Sequence, residues 1–266
     1  MRPEPTGERM VVDAYQSSPE DRVIYLMHVA AYEFALSFTR GKRVLDYGCG
    51  TGYGAAHIAG TASRVDAVDV DEDAIGYAGR EFRRENLAFA RIAAHEPLPF
   101  AKEAFDTVLS FQVLEHLDDV PGYLSEARRV LAPGGTLVLV TPDRKTRLLP
   151  GQRPWNRWHV REFSERTLRE ALSGAFASVE IRNMSGRRDV VDLELRRCRR
   201  LKWLTLPATL PVFPDRLRVR LLGALHALRG AARRDAPPRS VDFDESVIAI
   251  GPGLQPSLNL VAIARA

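Results

Sequence analysis

From Arg43 to Asn183 the chain switches repeatedly between two hydrophobic periods. Short apolar runs rich in Val, Leu and Ile (RVLDYG, RVDAVDV, LAFARI, FDTVLSFQ, TLVLVTP and ASVEIRN) read as strands. The intervening YGAAHIA, DEDAIGYAGREF, GYLSEARRVL and SERTLREAL place apolar residues every three or four positions, as on one face of a helix. Ser164 is the expected cap of the last one. Upstream, Ser18 as N-cap, Pro19 at the first helical position and the acids Glu20 and Asp21 start a further helix that stops near Gly41. Strands alternating with amphipathic helices predict an α/β fold with a parallel, doubly wound sheet.

After Asn183 the pattern changes. VDLELRRCRRLKWL and DRLRVRLLGALHALRGAARR read as two basic amphipathic helices, separated by the proline-rich TLPATLPVFP. Leu217, Leu221, Leu225 and Leu228 form an apolar stripe on the second, opposite its arginines. SLNLVAIARA closes the chain as a strand. This divides the sequence into an arm and helix (1–40), an α/β core (41–183), a basic helical insertion (184–245) and a C-terminal segment (246–266) that completes the core sheet.

Charge sharpens that division. The net charge is +4, yet Gly186 to Arg239 alone holds 14 Arg and Lys against five Asp and Glu, so the remainder is mildly acidic. A basic insertion on an acidic core argues against a nucleic-acid binder, and the chain shows no aromatic-interleaved RNA module. No run reaches the ~18 apolar residues of a membrane span, and the first 21 residues lack a signal peptide's apolar core. Cys49 and Cys198 do not make a disulfide framework, so a cytoplasmic location is expected.

The chemistry concentrates after the first core strand, in DYGCGTGYGAA. Glycines at 48, 50, 52 and 54 form a turn whose backbone N–H groups suit a nucleotide-like ligand. The nicotinamide-dinucleotide fingerprint would need glycine where Tyr53 stands, which disfavours an oxidoreductase. Asp46 precedes the turn, where an acid makes sense beside a positively charged ligand; S-adenosylmethionine is one. Asp69, about 20 residues on, either accepts the ribose hydroxyls or caps the next helix.

Taken in order, VLDYGCGTGYGA, VDAVDVDEDAI, EPLPFAKEAFDTVLSFQVLEHLDD, RVLAPGGTLVLVTPD and SLNLVAIARA resemble the successive motifs of class I S-adenosylmethionine-dependent methyltransferases. The resemblance implies a Rossmann-like sheet of seven strands, the last antiparallel. It implies that Gly48, Cys49, Gly50 and Gly52 pack against the methionine part of the cofactor. Asp69 would bind the ribose, Val70 would flank the adenine and Gln112 would sit near the methionine end. Where the family often has an acid for the adenine amino group, this chain has Ala94 and His95, which leaves backbone groups and stacking by His95. His28 either lines the cofactor pocket from the N-terminal helix or simply packs there, equal readings. PTGERM, TPDR and WNRWHVREFS are further similar to a subgroup linked to O-methylation of sugars and glycans.

A sugar hydroxyl is barely acidic, so a base that takes its proton helps the transfer. His159 is the first candidate, although a loop histidine capping the helix at Ser164 is an equal reading. His116 next to Glu115 is the second, with a structural role as its alternative. A related quinone methyltransferase group adds an acid three residues earlier to hold a divalent metal. Gln112 stands there, so no metal is expected. Trp155 and Trp158 suit either sugar faces or a hydrophobic lid, and Glu8 and Arg9 could fold over the pocket with the N-terminal arm. The expected acceptor is a small molecule, a glycan or a lipid-linked sugar. The basic insertion is a cap over that acceptor, a contact with anionic lipid, or a solvated or dimer face. Methylation of a quinone, polyketide or other hydroxylated metabolite, and cofactor binding without turnover, are the competing functions.

Overall fold

The computed structural model describes residues 18–234 and 245–266. Glu8 and Arg9 lie outside them. In chain order the elements are α1 (Pro19–Thr39), β1 (Arg43–Tyr47), α2 (Tyr53–Ile58), β2 (Arg64–Asp69), α3 (Glu72–Glu81), β3 (Leu87–Arg91), β4 (Phe105–Phe111) and a 3-10 turn at Leu114–His116. There follow α4 (Val120–Val130), β5 (Leu131–Pro142), α5 (Arg144–Arg147), α6 (Glu165–Ser173), β6 (Ser178–Gly186), α7 (Arg188–Leu204), α8 (Leu206–Thr209), α9 (Asp215–Arg234), β7 (Ile248–Gly251) and β8 (Asn259–Arg265). Both caps read from the sequence form. Ser18 accepts from the Asp21 amide, and Ser164 makes a reciprocal capping box with Thr167.

One sheet carries the order β3-β2-β1-β4-β5-β8-β6-β7. The first five of these are mutually parallel, and β8 runs antiparallel to both β5 and β6. The expected seven strands are therefore joined by an eighth: β7 pairs antiparallel with the end of β6. Only four residues long and ending in glycine, β7 gives too short an alternation to read from sequence. Alternate side chains leave the sheet on opposite faces. Val44, Val138 and Val140 meet α1, α2 and α7 in one core. Leu45, Leu137 and Leu139 meet α4 and α6 in another, giving three layers. The strand order reverses between β1 and β4, and ligands of such sheets bind there, at the carboxyl ends.

The basic segment after β6, expected to be an insertion, folds as α7, α8 and α9, with part of the proline-rich stretch forming the short α8. The predicted leucine stripe on α9 is not its buried face. Leu217 and Leu221 are exposed, whereas Arg218 and Leu222 point inward. Arg218 turns in because its guanidinium donates to the Pro154 carbonyl at 3.0 Å and pairs with Asp215 at 2.8 Å. Leu225 is half-buried, and the side chain of Leu228 lies outside the described residues. Among the described residues no helix is long and apolar enough to cross a membrane.

Candidate functional site

The glycine turn follows directly from β1. Gly48, Gly50 and Gly52 have φ of 95°, 53° and 80°, a left-handed region that side chains resist. A Cβ on Gly52 would lie 2.6 Å from the Phe89 ring and 2.7 Å from Ala78, whereas one on Gly50 would meet nothing within 4 Å. The turn is thus packed shut behind Gly52 and open at Gly50. The Val68 carbonyl accepts from the amides of Gly48 and Cys49 at 2.8 and 3.0 Å, which ties the turn to β2. Asp69 does the same with its side chain, accepting from the Gly50 amide at 2.8 Å and the Asp71 amide at 2.9 Å. The cap of α3 is Asp71, not Asp69.

Asp46 is 1% exposed. The Tyr32 hydroxyl donates to its Oδ2 at 3.1 Å, while Oδ1 has no hydrogen-bond partner among the described residues. Burial pushes this carboxyl up to about 7, the Tyr32 bond opposes that, and the charge of Asp69 adds to it. Tyr32 reaches Asp46 because α1 crosses α2 at Gly54, where any Cβ would collide with the tyrosine ring. His28 stands one helical turn before Tyr32, on the same side of α1, and is half-buried. Cys49 is buried, Val70 is 52% exposed past the end of β2, and Ala94 and His95 are exposed past β3. His95 and Gln112 both hold positive φ, 66° and 57°. Gln112 follows β4, its amide donating to the Val140 carbonyl at 2.8 Å.

Three residues beyond Gln112 a second cluster begins. Glu115 is fully buried: its Oε2 accepts from the Thr141 hydroxyl at 3.0 Å, and its Oε1 has no partner among the described residues. Burial raises its carboxyl, against the opposing pull of His159 and His116. His116 Nδ1 lies 3.2 Å from the Trp158 carbonyl. Since a carbonyl only accepts, Nδ1 carries the hydrogen and the neutral ring keeps its lone pair on Nε2. His159, 4% exposed, sets its Nδ1 3.0 Å from Glu162 Oε1. Burial alone would raise the Glu162 carboxyl, but Arg147 and His159 outweigh it and hold it below its ordinary value. Glu162 is therefore a carboxylate, and His159 Nδ1 donates to it; in the neutral ring the lone pair is again on Nε2. The two imidazoles sit edge to face, centroids 4.8 Å apart.

The sequence brings these residues together across three segments. The Glu115 carbonyl accepts from the amides of Val160 and Arg161, at 2.9 and 3.3 Å, so the loop carrying His159 is fastened to the turn after β4. His159 does not cap α6, the equal reading given above; Thr167 and Ser164 complete that cap between themselves. Behind His159, Arg147 donates to Glu162 at 2.9 Å. Two guanidiniums lie over the Trp155 ring, Arg147 at 4.2 Å and Arg197 at 5.4 Å from its centre. Trp155 is thereby a packing element, while Trp158 stays 45% exposed. Arg197 in turn pairs with buried Glu194 at 2.5 Å. Sequence reasoning missed Thr141, Arg147, Glu162, Glu194 and Arg197. An acid three residues after His159 was the one local sign.

A profile for the family described as "Methyltransferase domain" matches residues 45–139. A Mycolicibacterium smegmatis protein named "Probable S-adenosylmethionine-dependent methyltransferase" is 36% identical over 176 residues, spanning 66% of this chain and 65% of the relative. A like-named protein of Mycobacterium tuberculosis is 32% identical over 205 residues, 72% of each chain. The chain belongs to the S-adenosylmethionine-dependent methyltransferases. Its fold agrees: the structure of a methyltransferase from Thermotoga maritima superposes with a TM-score of 0.57 at 15% identity, covering 92% of this chain and 93% of that one.

S-adenosylmethionine is accordingly the cofactor of this methyltransferase. Residues at the carboxyl ends of β1 and β2 fit it. The unpartnered oxygen of Asp46 suits a cationic group, the turn opens at Gly50, and the exposed Val70 offers an apolar flank to a flat ring.

Proposed function

We propose that this chain methylates a hydroxyl oxygen, and that the hydroxyl belongs to a sugar or glycan. The observation that carries the oxygen reading is the acceptor state of Nε2 on both His116 and His159, set by the Trp158 carbonyl and the Glu162 carboxylate. An amine attacks through a lone pair it already has; an alcohol gains from a base. When bound, S-adenosylmethionine supplies an electrophilic methyl on sulfonium. Asp46, Gly48, Cys49, Gly50 and Gly52 hold its methionine part in this reading, Asp69 its ribose, and Val70, Ala94 and His95 its adenine. Gln112 and His28 line the methionine end.

The chain's own residues then align and deprotonate the acceptor. Alignment of the reacting groups is worth about 7–11 kcal/mol. His159 Nε2 would take the hydroxyl proton as the oxygen bonds the methyl and the methyl–sulfonium bond breaks to leave a neutral thioether, and Glu162 would stabilise the imidazolium through Nδ1, for a factor of about 10²–10⁴. Trp158, exposed beside His116, supports a sugar acceptor by offering an apolar face. The insertion acts as a brace and cap for the acceptor loop: Lys202 donates to the Thr146 carbonyl at 2.8 Å, and Gln152 to that of Lys202 at 2.9 Å. Exposed Trp203, Leu204, Val212, Leu217 and Leu221, in an arginine-rich segment, support a lipid-linked form of that acceptor.

The test is methyl transfer from radiolabelled S-adenosylmethionine into cell extract separated into polysaccharide, lipid and small-molecule fractions. Label in polysaccharide or glycolipid is expected. His159→Ala should lower kcat about 10²–10⁴-fold at unchanged cofactor Kd. Label confined to aromatic metabolites, with His159→Ala fully active, would refute both parts.

A further inference from the structure

We infer that Glu115, His116 and His159 form a site for one divalent cation of the zinc type. Contrary to the metal-free expectation, the third ligand need not come from position 112, because the loop after β5 brings His159 to the Glu115–His116 turn. One donor atom from each of the three lies within 4.8 Å of the others. Both Nδ1 atoms are committed to the Trp158 carbonyl and the Glu162 carboxylate, which assigns the metal bonds to the Nε2 atoms. The carboxylate contributes Oε1, a fully buried oxygen with no hydrogen-bond partner among the described residues. Leaving such an atom unsatisfied is costly, and a cation satisfies it.

The surroundings are those of a metal site. Ligating histidines usually donate their other N–H to a carboxylate or carbonyl, and ligating carboxylates are themselves hydrogen-bonded. Here the three supports are Glu162, the Trp158 carbonyl and the Thr141 hydroxyl. Two nitrogens and one oxygen favour Zn²⁺, Co²⁺ or Ni²⁺ over the oxygen-seeking Mg²⁺ and Ca²⁺. Bonds of about 2.0–2.2 Å bring ligand atoms to roughly 3–3.5 Å from one another, so loading draws the three side chains inward by about an ångström. Three protein ligands leave a position open, as in catalytic zinc sites.

The role of the ion, though not its binding, rests on the methyl-transfer reading. An acceptor hydroxyl in the open position becomes a stronger acid. With His159 Nε2 on the metal, the hydroxyl gives its proton to water while its oxygen bonds the methyl and the methyl–sulfonium bond breaks, S-adenosylhomocysteine leaving; His159 is the base only in the metal-free protein.

The experiment uses the full chain, stripped with chelator and without cofactor or acceptor. Co²⁺ is titrated in and followed by visible absorption, and Zn²⁺ by calorimetry. One equivalent is expected, with the intense bands of a four- or five-coordinate Co²⁺ ion. His116→Gln, at the half-exposed ligand and so mild for folding, and His159→Ala should each weaken binding at least tenfold, and Glu162→Gln 10–100-fold. His57→Ala, at a surface histidine paired with Glu33, should change nothing. No stoichiometric binding, or binding lost with His57→Ala but kept in folded His116→Gln, overturns the site. Methyl transfer that survives chelation in a chain that binds no cation sinks the metal and spares the methyltransferase reading.

Discussion

Asp46→Asn separates what the fold wants from what the cofactor wants. Burial holds the Asp46 carboxyl at about 7, from an ordinary 3.8. Between pH 4 and 7, then, the folded cofactor-free protein keeps a proton that the unfolded chain has lost. The folded state binds more protons, so stability falls as pH rises through that window. At 1.36 kcal/mol per tenfold, the loss comes to about 4 kcal/mol by pH 7. Asparagine still accepts from Tyr32 and carries no charge to bury. The cofactor-free variant should therefore melt above wild type at pH 8, by on the order of 10 °C for a chain this long, with the gap closing near pH 4.

Cofactor binding should move the other way. A cation beside Asp46 favours the ionised carboxylate, so binding below pH 7 releases a proton, and affinity rises up to about tenfold per pH unit until it levels off above 7. In the Asn variant that slope disappears. Its affinity at pH 8 drops by the worth of a charge-assisted bond, about 1.5–3 kcal/mol, or roughly 10–150-fold. Thermal melts and calorimetry from pH 4 to 8.5, in buffers of different ionisation enthalpy, measure both arms. Affinity for S-adenosylmethionine that is flat from pH 5.5 to 8, or equal in the Asn variant, would refute the reasoning.

Glu162→Gln strips the carboxylate from buried Arg147 and His159 together, and should cost about 3–5 kcal/mol in urea denaturation at neutral pH. The folded Glu162 carboxyl titrates below its unfolded value, so this stabilisation is complete above about pH 4.3 and is lost as pH falls through the folded value; a wild-type advantage that persists undiminished in strong acid would be wrong. Gly52→Ala meets Phe89 and Ala78 at a left-handed φ and should cost roughly 2–5 kcal/mol, whereas Gly50→Ala meets open space and should cost only the backbone share, about 1–2 kcal/mol. Equal losses of Tm in the two glycine variants would contradict the packing described.

What the sequence made legible is what local chemistry encodes. Ser18 and Ser164 cap within three residues of themselves. The glycine turn, Asp46 and Asp69 lie within one strand–helix–strand unit, where spacing alone limits what each can reach. The meeting of His159 with Glu115 was hidden for the opposite reason. Glu115 sits 44 residues earlier in the chain and is bonded to Thr141 on a different strand, so only the parallel pairing of β4 with β5 brings them together. The face of α9 misled because amphipathic periodicity assigns leucines inward and arginines outward. Arg218 escapes that rule by having a buried carbonyl to bond.

The same buried bonds argue that the basic insertion is part of the site and not an ornament on it. A chain of contacts runs from His159 through Glu162 to Arg147 by polar bonds, over the Trp155 ring to Arg197 by two cation–ring contacts, and on to Glu194 in the middle of α7. It contains two carboxylates and two guanidiniums, so it is neutral as a whole although each member alone would be costly to bury. Burial pulls the guanidinium of Arg147 down, yet the carboxylate of Glu162, together with Cys198 and Glu194 of α7 on the same side, outweighs it. The orientation of the candidate base is thereby set from two directions, by Glu115 and its turn below and by α7 behind. The excess positive charge of the insertion is a separate matter. Its exposed arginines lie outside this network, so the charge that marks this segment in the sequence is not what braces the site. The brace is the few arginines that folding takes out of water.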